Sequence, residues 1–149
     1  MKKFLIVLLL VFSSNLFAQS DFINLNNGNI AISGYDLVSY LEDQKAVEGS
    51  KEYRYVYQEV TYQFKTSDHL NKFKKNPKKY IPAYGGWCAY AIGKSGKKVS
   101  INPETFKIID GKTYLFYNKR FTNTLTLWNE DEQSLKQQAD QNWDKIISK

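Results

Sequence analysis

Two side chains in this sequence can act as strong soft donors, and each occurs once. Cys88 is the only cysteine and His69 the only histidine. A thiolate and a neutral imidazole nitrogen both bind soft and borderline metal ions. Met1 is the only methionine, so a soft site farther along the chain has at most two strong protein ligands. Structural Zn²⁺ takes four ligands and catalytic Zn²⁺ three. Carboxylates such as Asp36 or Asp68 would have to complete such a set, and nothing in the spacing demands it. Monovalent copper prefers thiolate and tolerates low coordination, so it fits a Cys/His pair better. The same pair can make an activated thiol nucleophile, yet no acid or amide stands out to orient the imidazole. Binding is therefore the expectation, ahead of catalysis.

The setting of Cys88 also suits plain packing. It lies in YGGWCAYA, behind Gly85 and Gly86, between Trp87 and Ala89. A buried cysteine often serves as a small hydrophobe, and paired glycines let two backbones approach closely. Tyr84 and Trp87 flank the glycines and are candidates to shape a cavity, with Tyr35 and Asp36 of the GYD stretch as further pocket-lining candidates. Asp36 has a simpler use as the cap of a following helix. No phosphate loop G-x-x-x-x-G-K-[ST], H-E-x-x-H, G-x-S-x-G or C-x-x-C is present. One cysteine excludes an intramolecular disulfide framework.

The first 18 residues, MKKFLIVLLLVFSSNLFA, read as a secretory signal peptide. Lys2 and Lys3 form a basic start, Phe4 to Phe12 an apolar run too short to span a bilayer, and Ala18 a small residue for cleavage. Residues 1–18 are thus set apart from the fold, and the expected location is periplasmic or secreted, with no stable membrane insertion after cleavage. About 130 residues remain, enough for one domain with a real core. Losing Lys2 and Lys3 lowers the net charge from +6 to +4. Lysines cluster around 72–79 and 94–98, but Arg54 and Arg120 are the only arginines. Nucleic acid, which favours arginine, is not an expected partner.

The remaining chain reads as α+β. Residues 19–33 read as a loop segment, and so do 93–105. Asp36 precedes a short helical pattern. In YRYVYQEVTYQF (53–64), Tyr53, Tyr55 and Tyr57 share one parity and Val60, Tyr62 and Phe64 the other, so a tight turn at Gln58-Glu59 would bring both sets to one face. Thr66 or Ser67 caps a helix carrying Leu70 and Phe73 that breaks near Pro77. FKIIDGKTYLFY (106–117) centres on Asp110-Gly111, the favoured pair of a two-residue hairpin turn. From Asn129, three acids and then Leu135, Ala139, Trp143 and Ile146 predict a helix that docks by one stripe. The two hairpins are expected to share one small antiparallel sheet flanked by helices.

In this order GYDLVSYL, KEYRYVYQEVTYQF, SDHLNKFKKNPKKYIPAYGGWCAYAI and FKIIDGKTYLFYNK resemble the exported branch of the YHS-domain family. The likeness runs from about Ile32 to Ile146, and it marks 34–147 as a YHS-like domain. The resemblance implies a small α+β fold and says little about activity. Metal-binding members carry a cysteine just after the hairpin and another four residues later. Lys65 and His69 stand there in this chain. The thiolate cluster is therefore missing, and an inherited role, with copper as the favoured ion, would rest on His69 with Cys88. The competing reading is a non-metal module that engages a periplasmic protein or small ligand, with Cys88 as a packing residue.

Overall fold

The structure is a computed structural model and describes residues 19–26 and 28–149. The proposed leader, 1–18, lies outside the described residues. The fold is α+β. Two short strands, β1 (Leu25–Asn26) and β2 (Ile30–Ala31), precede helix α1 (Leu37–Glu42). The hairpin β3 (Ser50–Tyr57) and β4 (Val60–Phe64) leads into α2 (Ser67–Lys75) and α3 (Pro77–Tyr80). After a tight turn come α4 (Ala89–Ser95) and the hairpin β5 (Asn102–Ile109) and β6 (Lys112–Phe116). A small hairpin, β7 (Asn118–Lys119) and β8 (Thr122–Asn123), precedes α5 (Thr124–Glu130) and α6 (Glu132–Ile147). Among the described residues no helix is long and apolar enough to cross a membrane.

Both long hairpins turn where the sequence places them. Gln58 and Glu59 adopt φ of 48° and 66°, and Asp110 and Gly111 adopt 49° and 71°, matching the right-handed twist of the strands they join. Tyr55 pairs with Tyr62 and Tyr57 with Val60, so both aromatic sets face the same side. Phe73 of α2 closes that face, with ring centroids 4.6 Å from Tyr62 and 5.1 Å from Phe64. The Thr66 hydroxyl accepts the His69 amide at 3.2 Å and starts α2. Asn76 and Pro77 then end one helix and begin the next.

The hairpins do not share a sheet, which corrects the expectation of one antiparallel sheet. β3 and β4 belong to a four-stranded mixed sheet ordered β1-β2-β4-β3, and β5-β6 forms a sheet of its own. The reason is edge occupancy. β3 takes one edge of β4, and β2, from the segment expected to be loop, takes the other in parallel through Ile30 and Thr61. The second hairpin instead separates two hydrophobic clusters. Successive side chains of a strand point to opposite faces. Leu115 accordingly enters the cluster of Phe64, Phe73 and Tyr40, while Tyr114 and Phe116 enter that of Tyr84, Ile92 and Trp128.

The C-terminal helix begins later than expected. Asn123 caps α5 through the Leu125 amide, the chain kinks at Asp131, and α6 starts at Glu132. Asn129 is not a cap; its side-chain oxygen accepts from Lys107 at 2.7 Å. Burial of Trp128 explains the shift. Its ring lies 5.5 Å from Phe116 and its indole N–H donates to Glu132 at 2.9 Å, which holds the preceding residues helical. The docking stripe stands as expected, with Leu135 and Ala139 buried and Trp143 half-buried. Asn142 donates to the Ile92 carbonyl at 2.8 Å and ties α6 to α4.

Candidate functional site

His69 lies at the start of α2, over α1. Its Nδ1–H donates to Asp36 Oδ2 at 2.8 Å. Asp36 is fully buried, and its carboxylate also accepts from the amides of Val38 at 2.9 Å, Ser39 at 3.3 Å and Lys65 at 2.9 Å. Four donors satisfy this carboxylate and bind α1, β4 and α2 into one knot. The imidazole Nε2 faces Asp43 at 3.9 Å, and Asp43 is held by Lys65 at 2.6 Å. That lysine contact keeps the Asp43 carboxyl below its ordinary range. The Asp36 cap is as the sequence suggested; its partnership with His69 was not visible there.

Cys88 occupies a different place. It is fully buried and precedes α4, whose Ala89 and Ile92 belong to the second cluster, whereas Phe73 of α2 belongs to the first. The Tyr117 amide donates to Cys88 Sγ at 3.3 Å. The Thr124 hydroxyl donates to the Tyr117 carbonyl at 2.9 Å, so across the 3.3 Å contact with Thr124 the thiol is the donor. The thiol is thus used in both directions inside a closed set of partners. No hydrogen bond or ion pair joins Cys88 to His69. Among the described residues no group of three or more histidine, cysteine or carboxylate side chains is placed to hold a metal ion.

A concavity lies beside the glycine turn. Tyr84, Gly85 and Gly86 adopt φ of 55°, 61° and 81°, a left-handed run that reverses the chain. A Cβ on Gly85 would collide with the Phe22 carbonyl, and one on Gly86 with the Ile32 side chain. The Asn24 amide donates to the Gly85 carbonyl at 2.8 Å, and the Trp87 indole to the Phe22 carbonyl at 3.1 Å. The N-terminal segment is thereby laid against the turn. Between Phe22, Tyr84, Tyr114 and Trp143 opens a cavity of about 620 Å³, continued by Ile81 and Pro82. Tyr84 and Trp143 meet edge to face at 6.0 Å, as do Tyr84 and Tyr114 at 5.7 Å.

Its polar groups are few. The Tyr84 hydroxyl donates to Asp140 at 2.8 Å, and Lys136 pairs with the other Asp140 oxygen at 2.8 Å. Burial, reinforced by the Asp140 carboxylate, raises the Tyr84 pKa, so the phenol stays protonated and remains a donor. Lys112, at the start of β6, donates to the Lys78 carbonyl at 2.7 Å. Burial lowers its pKa below the lysine norm. Both lysines line the cavity with Asp140.

Of the residues picked from sequence, Tyr84 and Gly85 line this cavity. Gly86 and Trp87 support it from the turn without lining it. Tyr35 and Asp36 sit elsewhere: Tyr35 packs against the first cluster and bridges Glu48, and Asp36 caps α1. Phe22, Lys112, Asp140 and Trp143 were missed as site residues. Trp143 had carried a signal, since it stands at the half-buried end of the α6 stripe.

Comparison with protein-family models, with curated proteins and with solved structures finds no match for this chain.

Proposed function

We propose that this chain is an exported, YHS-like binding protein whose ligand is a small, largely apolar molecule held in the Tyr84–Trp143 cavity. The observation that carries the proposal is the preformed aromatic concavity itself, of a size suited to small-molecule ligands. Its walls come from the N-terminal segment, the glycine turn, β6 and α6, so closing it would require repacking four parts of the fold. Export is supported by the basic, apolar and small-residue pattern of residues 1–18. Copper held by Cys88 and His69 together has less support, because each is already hydrogen-bonded, and the two sit beside different clusters.

The test is a titration with N-phenyl-1-naphthylamine, a neutral naphthyl probe that fluoresces in apolar surroundings. Saturable one-to-one binding is expected, weakened by Trp143→Ala and by Ala83→Phe, which fills the cavity from its wall. Absence of saturable binding, or unchanged affinity in both folded variants, contradicts the reading.

A further inference from the structure

We propose that the ligand is an amphipathic anion, an apolar body carrying a single carboxylate- or sulfonate-like group that meets Lys112 and Lys78 at the edge of the cavity. The inference rests on the cavity reading above and adds the ligand's charge. Three charged residues line the cavity: Lys78, Lys112 and Asp140. Asp140 is already neutralised by Lys136 and bonded to the Tyr84 hydroxyl. Neither Lys78 nor Lys112 is in an ion pair among the described residues. Lys112 is half-buried, and its ammonium carries three donors, of which one reaches the Lys78 carbonyl. Two donors remain for an acceptor from outside the fold.

The chemistry follows from that imbalance. A cation partly removed from water without a counter-ion is unfavourable, and its lowered pKa has burial as its cause. An anion placed there gains a charge-assisted hydrogen bond and relieves the burial of the lysine at once. A cationic ligand would meet two uncompensated lysines. A neutral ligand offers the Lys112 donors at best an uncharged acceptor, a weaker bond than a charge-assisted one. The rest of the lining, with Phe22, Ile81, Tyr114 and Trp143, is largely aromatic and aliphatic and suits an apolar body.

The two probes that decide this are close in shape. N-phenyl-1-naphthylamine is neutral, and 1-anilinonaphthalene-8-sulfonate adds one sulfonate to the same skeleton. The purified protein is titrated with each, and each is tested for displacement of the other. The anion is expected to bind roughly tenfold more tightly than the neutral probe at low salt, the scale of one charge-assisted contact at a half-buried site. Lys112→Met should remove most of the preference and Lys78→Met/Lys112→Met all of it, while Lys112→Arg should retain most of it. Equal affinities for the two probes, or a preference undiminished in Lys112→Met or surviving in Lys78→Met/Lys112→Met, overturns the charge inference and leaves the apolar cavity standing. Failure of both probes overturns the cavity reading and this inference with it.

Discussion

The Tyr84 hydroxyl donates to Asp140 Oδ1 at 2.8 Å, joining a turn with left-handed backbone to the middle of the C-terminal helix, 56 residues on. Tyr84 is a bulky residue at φ 55°, a conformation that persists only where surrounding contacts enforce it. Its ring packs against Tyr114 and Trp143 and its oxygen reaches Asp140. This one side chain therefore holds the turn, forms a wall of the cavity and fixes its distance from α6.

Tyr84→Phe keeps the ring and deletes the bond. Asp140 keeps Lys136 and is itself exposed, so no acceptor is stranded. The expected loss is about 1 kcal/mol or less in urea unfolding, with N-phenyl-1-naphthylamine binding retained. Tyr84→Ala removes the wall as well and should cost about 3 kcal/mol or more. Equal losses in the two variants would show that the ring contributes nothing.

Asp36 concentrates more of the fold's polar bonding. Asp36→Ala leaves three amides and the His69 ring without their acceptor in a buried place. A loss of about 3 kcal/mol or more is expected. His69→Ala should cost less, since the carboxylate keeps its amides. In the double variant the effects should fall short of additivity. Additive losses in denaturant titrations would mean that the two residues act independently.

The fold and the cavity are unequally legible in the sequence. Turn chemistry is local, so Gln58-Glu59, Asp110-Gly111 and the Thr66 cap could be read directly. The helical stripe through Leu135 and Ala139 was readable for the same reason. The separation of the hairpins was not, because it depends on which strand takes the free edge of β4. That strand, β2, has only two residues, too few to show alternation. The cavity is less local still. Phe22, Tyr84, Lys112 and Trp143 are brought together from across the chain, and no spacing rule links them. The cysteine and the histidine are each unique in the sequence, yet uniqueness in composition does not imply proximity in space.

Acid should weaken the fold through two surface clusters. Hydrogen bonds from Lys79 and Tyr80 hold the Glu42 carboxyl below its usual range, and Lys65 does the same for Asp43. A carboxyl with a depressed folded pKa stabilises at pH above its unfolded value, and that contribution is lost as pH falls through the folded one. The window therefore opens near pH 4 and extends downward. Thermal midpoints of the wild type and of Glu42→Gln/Asp43→Asn should differ at pH 6 and converge below about pH 3. A gap that persists or widens in acid would contradict the assignment.

Anaerobic Cu(I) titration against a competing chelator addresses the paired soft site. A bound thiolate has to give up its proton, and in Cys88 that proton is engaged with Thr124. Equal and weak affinities are expected for the wild type, Cys88→Ser and His69→Ala. A tight site in the wild type that both variants lose would restore the copper reading.

The cavity claim is tested most directly by following the indole N–H resonances of Trp87, Trp128 and Trp143 in ¹⁵N-labelled protein during titration with N-phenyl-1-naphthylamine. Trp143, half-buried on the cavity wall, should show the largest shift, saturating at the midpoint seen by fluorescence. Trp128, fully buried in the second cluster, should move least. A Trp143 resonance that stays in place at saturating probe would contradict the account.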